Sequence, residues 1–428
     1  MGPVVVKILA SAAYAAFLLV AHAACLWRRA LLGSWEGQAR RRLERANGGR
    51  LRVLAMGTFY HRNWYLSHLR PVAQAGAIRR VCVVSNEAGR PIPGVTWCVP
   101  PSWMQRFLGR HASRAAWSFV TALRQRPDLI IGYFICPNAL WALVLGKVFG
   151  AASCYQMCAG PREITRNGAD SGNPLLRHVL PRFPMLHSLL FKAVREFDLL
   201  VVRGANAKAF CEQHFPTTMV RILPGSVDPQ RFRFERNGER RYDVVTVCRL
   251  TPIKRLDVVL KALSAVVQHR PDSRSVIVGD GPELVSLKQL AKRLGLSQQV
   301  EFAGRQEDVE RFHRMSRVFV LASDDEGLSI ALAEAMGSGL PAVVSHVGEL
   351  GELVRNGRNG MLVPPGDVAS FGAAIRKLLE NEKLWRTYAD HAARDAYELC
   401  ATPRVARRWT EVLTELCAVQ ADGAKALS

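Results

Sequence analysis

Residues 323–344 read SDDEGLSIALAEAMGSGLPAVV and place two glutamates eight positions apart around the predicted start of a helix. Glu326 lies in the polar loop before this helix, and Glu334 is expected about two turns into it. Gly339 is typical of a helix C-terminus and Pro341 prevents continuation, so a strand is predicted to follow. Because a helix N-terminus carries unpaired N–H groups and a positive dipole end, this turn favours an anion.

A second pattern places two cations after a predicted strand. Residues 244–257 read VVTVCRLTPIKRLD, so β-branched residues lead into a loop that contains Arg249 and Lys254. Two cations at that place suit a diphosphate. The alternative is an ordinary solvated basic loop.

Glycine-rich turns occur at three further places in the chain. Residues 275–283 read SVIVGDGPE, in which glycine lets the backbone approach a ligand closely, so Gly279 and Asp280 are candidate binding residues. A plain strand-to-helix turn explains Asp280 equally well. Residues 357–367 (GRNGMLVPPGD) indicate a mainly structural turn, and residues 225–228 (GSVD) indicate a passage between domains.

Taken together over residues 51–379, these motifs resemble those of retaining glycosyltransferases of family 4, with the glutamates forming an E-x7-E motif. The resemblance implies an α/β GT-B fold: two doubly wound Rossmann-like domains facing a cleft, here with an added N-terminal apolar helix. It implies a nucleoside diphosphate sugar as donor substrate. Glu326 is expected to hold the sugar and Glu334 the ribose. Arg249, Lys254 and the N–H groups of the turn are expected to stabilise the departing phosphate; the turn consists of Gly327, Leu328 and Ser329.

The length and apolar content fit two domains. The chain has 428 residues, of which 49% are hydrophobic, enough for two buried cores. Apolar runs alternate with amphipathic stretches, which predicts parallel, doubly wound sheets. The predicted strands are 52–56, 81–85, 129–133, 199–203, 243–247, 275–279, 318–322 and 342–345. The predicted organisation is a membrane anchor (1–30), an acceptor domain (48–226), a nucleotide-sugar domain (227–398) and a C-terminal helical segment that packs back on the acceptor domain (399–428).

Positive charge is concentrated in the first third of the chain. The formal net charge is +22, and residues 1–160 contain 20 Lys and Arg against 4 Asp and Glu. This excess predicts an anionic partner such as a membrane surface or a lipid phosphate. Nucleic acid is not expected, because no nucleic-acid-binding signature accompanies the charge. The alternative is a generally basic composition of solvated faces.

Ten cysteines occur without a C-x2-C pair or a spaced histidine partner. Cys154 and Cys158 lie in an apolar stretch predicted to be a buried strand. This usage is typical of reduced cytosolic cysteines that act as small hydrophobes. We expect no metal site and no cofactor.

Residues 8–27 contain no Lys, Arg, Asp or Glu and are just long enough to span a bilayer. Six arginines follow by residue 45, so the positive-inside rule keeps the C-terminal side in the cytoplasm. The prediction is a single-pass or peripheral protein on the cytoplasmic face of the cell membrane. An interfacial helix and a cleaved signal peptide are the alternatives.

A second membrane candidate covers residues 103–117. Arg106, Arg110 and Arg114 recur at four-residue spacing and would form one helical stripe near Trp103 and Phe107. Such a stripe is typical of an interfacial helix, but an ordinary surface helix of the first domain is the favoured interpretation.

The first domain departs from the family pattern. Ile131 and Tyr133 occupy the places of an H-x-H motif, and no histidine follows the strand that usually ends in His-Gly. The glycine-rich first loop is reduced to Gly57, and Gly160 is the other candidate for a substrate contact. Two further candidates, which could equally be structural, are Arg162 and Glu163. Where similar enzymes often have serine, Arg203 is expected to face the cleft or a surface carboxylate.

These observations predict a membrane-associated, retaining, metal-independent glycosyltransferase. It would move a sugar to a hydroxyl of a lipid-linked or polysaccharide acceptor for the cell envelope. The alternative from another class is a non-catalytic membrane-bound scaffold on a decayed GT-B fold. A sugar-nucleotide epimerase has less support, since acidic residues are scarce in the first domain.

Overall fold

The chain folds into two compact units. The structure is a computed structural model that describes residues 23, 50–59, 61–165 and 184–422. One unit comprises Met1–Leu223 and Val405–Ser428, and the other comprises Pro224–Arg404. Apart from Ala23, the predicted anchor over residues 1–30 lies outside the described residues.

The first unit is built on a parallel sheet of seven strands in the order β3-β2-β1-β4-β5-β6-β7. The chain winds outward from β1 to β3, returns to β4 and winds outward again, so the sheet is doubly wound. The strands are β1 (Leu51–Met56), β2 (Ile78–Val84), β3 (Val95–Cys98), β4 (Leu129–Tyr133), β5 (Ala152–Gln156), β6 (Leu199–Val202) and β7 (Met219–Ile222). The helices are α1 (Arg62–Gln74), α2 (Ser102–Gln125), α3 (Leu140–Phe149), α4 (Pro184–Val194) and α5 (Ala205–His214).

The second unit repeats this plan with six parallel strands in the order β10-β9-β8-β11-β12-β13. The strands are β8 (Tyr242–Val247), β9 (Ser275–Val278), β10 (Val300–Gly304), β11 (Ser316–Leu321), β12 (Ala342–Ser345) and β13 (Gly360–Val363). The helices are α6 (Leu256–His269), α7 (Leu284–Arg293), α8 (Val309–Arg314), α9 (Ile330–Gly337), α10 (Leu350–Leu353), α11 (Val368–Glu380) and α12 (Glu382–Cys400).

The last helix, α13 (Thr402–Asp422), belongs to the first unit from Val405 onward. Trp409 and Leu413 are buried in the core that β1, β4 and α1 share. The Thr410 hydroxyl accepts a 2.9 Å hydrogen bond from the Gly76 N–H, and Arg221 pairs with Glu415. The C-terminal segment is therefore part of the core of the first unit.

Two helices differ from the sequence-based expectations. Helix α9 begins at Ile330, so Glu334 is its fifth residue and lies just over one turn into it, not two. Helix α2 is interrupted at Gly109, whose φ of 75° is outside the helical range. The predicted single arginine stripe is therefore wrong, and Arg114 is buried against Asn86 while Arg110 is exposed. None of the described helices has the length and apolarity that a membrane span needs.

Candidate functional site

The carboxyl edge of the second sheet brings the two main sequence motifs together. The strand order reverses between β8 and β11, and ligands of open α/β sheets bind at such a switch point. Arg249 and Lys254 follow β8, and Glu326 follows β11. Two chain segments more than seventy residues apart thus reach one place because their strands are neighbours in the sheet.

Lys254 and Glu326 form an ion pair in which Nζ contacts Oε1, and both side chains are largely buried. The same Oε1 accepts a hydrogen bond of 3.0 Å from the Ser323 hydroxyl. The Asp324 N–H donates to the Ile253 carbonyl oxygen at 2.9 Å, which joins the two loops through the backbone. Among the described residues, Oε2 of Glu326 has no donor.

Arg249 differs from Lys254 in its surroundings. Its side chain is exposed and has no ion-pair or hydrogen-bond partner within the described part of the chain. Burial raises the pKa of the neighbouring Cys248 thiol to about 12, so this group is neutral and does not offset the cations. Within the described residues, the loop after β8 therefore carries an exposed arginine without a partner and a lysine whose charge Glu326 offsets.

Two glycines allow the loops of this edge to pack backbone against backbone. A Cβ atom on Gly279 would overlap the carbonyl oxygen of Cys248, and one on Gly348 would overlap the carbonyl oxygen of Glu326. The Glu326 carbonyl also accepts from the Glu349 N–H at 3.3 Å. The sequence interpretation included Gly279 but missed Gly348, whose only signal was its place shortly after β12.

Asp280 contributes mainly through its own turn in the described structure. Its carboxylate accepts a 2.7 Å hydrogen bond from the Gly281 N–H, and its carbonyl oxygen accepts from the Leu250 N–H at 3.0 Å. These contacts hold the loop after β9 against the loop after β8. A contact of Asp280 with a ligand stays a prediction.

The E-x7-E turn leads directly into α9. Ser329 caps the helix, since its hydroxyl accepts from the Leu332 N–H at 3.3 Å. Leu328 is buried, and Gly327 is half-buried. Glu334 is 5% exposed, and its backbone carbonyl oxygen accepts from the Ser338 hydroxyl.

The predicted residues of the first unit lie in loops after β1 and β5. Gly57 follows β1, where a Cβ atom would stand 2.7 Å from the Phe59 ring. Gly160 has a φ of 76° and would have open space around a Cβ atom. In both cases the substrate contact stays a prediction.

Glu163 is a buried carboxylate that joins the loops after β4 and β5. It accepts hydrogen bonds from the Tyr155 hydroxyl at 2.7 Å, the Ile135 N–H at 3.2 Å and the Ala159 N–H at 2.5 Å. Burial raises its pKa to about 7, while the N–H donors, with Ala159 first, oppose the rise. These contacts favour the structural role over a substrate contact.

Within the described ranges, no three His, Cys, Asp or Glu side chains cluster closely enough to hold a metal ion.

The profile of the family described as glycosyl transferases group 1 matches residues 228–395, which include the whole switch-point site. A GDP-mannose-dependent alpha-(1-6)-phosphatidylinositol monomannoside mannosyltransferase of Mycolicibacterium smegmatis is 30% identical over 263 residues, 55% of this chain and 67% of the relative. The chain belongs to the glycosyl transferases group 1 family.

Two further proteins are similar to this chain over different shares of their length. The N-acetyl-alpha-D-glucosaminyl L-malate synthase of Bacillus anthracis is 24% identical over 68% of this chain and 75% of its own length. An exopolysaccharide phosphotransferase of Streptomyces coelicolor is 33% identical over 51% of this chain, but the match spans only 23% of that protein. As a group 1 member, the chain is a glycosyltransferase, which favours the enzyme over the scaffold alternative.

Solved structures agree on the fold. HepE of Anabaena in complex with UDP superposes with a TM-score of 0.65 at 18% identity, covering 85% of this chain and all of HepE. Sucrose-phosphate synthase of Thermosynechococcus elongatus gives 0.67 at 15% identity, covering 86% of this chain and all of the synthase. The two parallel α/β units and these neighbours confirm the GT-B class; the N-terminal apolar helix stays a prediction.

Proposed function

We propose that this glycosyltransferase moves a sugar from a nucleoside diphosphate sugar to an acceptor hydroxyl, with retention at the anomeric carbon and without a metal. The observation that carries the proposal is the Lys254–Glu326 ion pair at the switch point of the second sheet, on the same loop after β8 that carries Arg249. HepE has been solved with UDP-glucose, and the mycolicibacterial relative is named as GDP-mannose-dependent, which supports a nucleotide-sugar donor.

The charge distribution suits departure of a diphosphate. The bond from the anomeric carbon to the phosphate oxygen breaks, and the acceptor oxygen forms its bond on the same face. The acceptor proton passes to the leaving phosphate oxygen, so no side-chain base is required. Arg249 and Lys254 stabilise the negative charge that develops on the phosphate, together with the N–H groups of the Gly327–Ser329 turn.

The lysine–glutamate pair explains how one place serves two parts of the donor. In the pair, Lys254 and Ser323 both use Oε1 of Glu326, which leaves Oε2 able to accept from a sugar hydroxyl. Lys254 carries three donors and can contact a phosphate while it stays near Glu326. Glu334 holds the ribose from the buried face of α9.

The acceptor is lipid-linked or a glycan, and the protein works at an anionic membrane surface on the cytoplasmic side. The relative named for phosphatidylinositol monomannoside and the basic first third of the chain support this assignment. The first half of α2 also exposes Trp103, Phe107 (80% exposed) and Leu108 beside Arg106. Aromatic side chains next to arginine suit an anionic bilayer interface.

The full-length protein tests this proposal when it is incubated with UDP- and GDP-sugars in EDTA. We expect release of the nucleoside diphosphate with one donor class, and a product whose anomeric configuration, measured by NMR, equals that of the donor. Inversion would overturn the retaining assignment, and strict dependence on added Mg²⁺ or Mn²⁺ would overturn metal independence.

A further inference from the structure

Arg203 is a buried cation that has no anionic partner among the described residues. It follows β6 at the carboxyl edge of the first sheet and is 3% exposed. Its Nη2 contacts Nε2 of His68, whereas Nε and Nη1 are buried and form no hydrogen bond of standard geometry with any described residue. No carboxylate among the described residues pairs with it, so the expected surface carboxylate is not found there. Burial of an unpaired charge is unfavourable, and such groups normally gain a partner.

The groups around Arg203 are neutral. Burial, and next the charge of Arg203, hold the pKa of His68 well below its ordinary value. Nδ1 of His68 lies 2.6 Å from the Trp64 carbonyl oxygen, so the proton on Nδ1 donates there and Nε2 accepts from Arg203. Burial raises the pKa of the Cys158 thiol to about 12, and the charge of Arg203 and a side-chain contact with it oppose the rise, so Cys158 is a neutral neighbour of Arg203. The guanidinium charge is therefore not balanced by its neighbours.

Other unsatisfied polar atoms lie on the same face of the sheet. Tyr133 pairs in register with Gln156, and Gln156 pairs with Val201, two residues before Arg203. Since side chains alternate along a strand, Tyr133, Gln156 and Arg203 point to one face. The Tyr133 hydroxyl and Oε1 of Gln156 are buried and make no hydrogen bond within the part of the chain that the structure describes. Three neighbouring strand ends thus offer a cation, a hydroxyl and an amide oxygen.

We propose that this cluster, Arg203 with Tyr133 and Gln156, binds an anionic group, a phosphate or a carboxylate, of the acceptor. The proposal rests on the transferase function above and adds the chemical class of the acceptor. Nε and Nη1 of Arg203 lie on different edges of the guanidinium, so each can donate separately to an oxygen of the ligand. The Tyr133 hydroxyl adds a donor, and Gln156 accepts from a neighbouring hydroxyl of the same ligand.

The test uses full-length protein that carries Arg249→Ala and Lys254→Ala, so that the donor loops contribute no phosphate binding. Calorimetry with inorganic phosphate and with succinate should show saturable binding, and adding Arg203→Met should weaken it at least about tenfold. Arg221→Met is the control, since Arg221 of the same unit already pairs with Glu415. Equal anion binding with and without Arg203→Met would overturn the proposal.

Thermal unfolding adds a second readout. Without ligand, Arg203→Met should melt at the same temperature as the parent or higher, because an unpaired buried cation is removed. Arg221→Met should melt slightly lower, because Glu415 loses its partner. A lower melting temperature for Arg203→Met, with anion binding unchanged, would identify a purely structural arginine.

Two further experiments are needed. One identifies whether the anion belongs to a lipid or to a soluble molecule, and the other distinguishes failure of this proposal from failure of the transferase proposal. The protein's binding to phosphatidylglycerol vesicles is compared with its binding to phosphatidylcholine vesicles. If Arg203→Met reduces binding to phosphatidylglycerol, the anion is a lipid headgroup. If Arg203→Met leaves vesicle binding unchanged but abolishes phosphate binding, the anion belongs to a soluble molecule. Nucleoside diphosphate binding by the Arg203→Met single variant should equal that of the native chain. If the native chain binds no nucleotide, the transferase proposal fails. The phosphate and succinate titrations then still test anion binding at the Arg203 cluster.

Discussion

Lys254 and Glu326 are 72 residues apart in the chain and meet as an ion pair at the switch point of the second sheet. Both side chains are largely buried, so each holds the other in place in the unliganded chain. The pair also leaves Arg249 as the free cation of the site within the described residues.

Removal of either cation should impair turnover. We expect Arg249→Ala or Lys254→Ala to lower kcat about a hundredfold or more, because each deletes a donor to charge that develops on the leaving diphosphate. Steady-state kinetics with the identified donor measures this, and circular dichroism checks the fold. Lys261→Ala is the control, since among the described residues Lys261 pairs with Asp257 alone, on the exposed side of α6. Native turnover in both site variants would contradict the assignment.

Substitution of Glu326 and of Glu334 should affect the affinities for two different ligands. Glu334→Gln should weaken binding of the bare nucleoside diphosphate, because Glu334 is assigned to the ribose. Glu326→Gln should weaken chiefly the intact donor, because Glu326 is assigned to the sugar. Calorimetry with both ligands measures the split, with Glu382→Gln as a control outside the site. Equal losses for both ligands in both variants would refute it.

The close approach at Gly348 should tolerate no side chain. Gly348→Ala places a Cβ on the Glu326 carbonyl at a φ of 52°, so we expect a loss of about 2 kcal/mol or more of unfolding free energy and weaker donor binding. Gly295→Ala is the matched control, since its φ is 73° but nothing lies within 4 Å of the added Cβ. Urea denaturation of both variants compares them. Equal losses would mean that the loop after β12 moves freely away from Glu326.

Glu163 should make stability depend on pH. Burial raises its pKa to about 7 from the ordinary 4.5, so the folded state binds this proton more tightly than the unfolded state does. The free energy of unfolding should therefore fall as the pH rises from about 4.5 to 7, by on the order of 3 kcal/mol. Glu163→Gln should lack this pH-dependent part of the unfolding free energy, because its side chain does not titrate. Urea denaturation at pH 5 and pH 8 should show a smaller difference for the variant, and an identical difference would rule out the assignment.

The exposed aromatic side chains of α2 should contribute to membrane binding. In full-length protein, Trp103→Ser with Phe107→Ser should reduce sedimentation with phosphatidylglycerol vesicles several-fold. Val285→Ser removes another large exposed apolar side chain (68% exposed), but in the second unit, and should have no effect. Raised salt should weaken the binding that remains. Loss of vesicle binding in the Val285 variant alone would place the membrane surface elsewhere.

The sequence by itself determined the central architecture. Central parallel strands are buried on both faces, so they appear as continuous apolar runs such as VVTV in β8. The four strands that the sequence did not predict, β3, β7, β10 and β13, are the two edges of each sheet. Edge strands are partly exposed, as VEFAG in β10 shows, and their apolar pattern is weaker. The E-x7-E motif and the basic loop were recognisable because each is a short local pattern.

Only the tertiary structure decided which distant groups meet. No local pattern encodes the contact of Lys254 with Glu326 or the close backbone approach that requires glycine at position 348. The same holds for the burial of Arg203 away from every described carboxylate. Each of these depends on which strands become neighbours. Sequence predicted the depth of Glu334 in its helix wrongly, since the capping bond of Ser329 sets the first residue of α9. Strand order is fixed by the packing of whole helices and strands. The contacts at the strand ends, where the proposed donor site lies, are fixed in the same way.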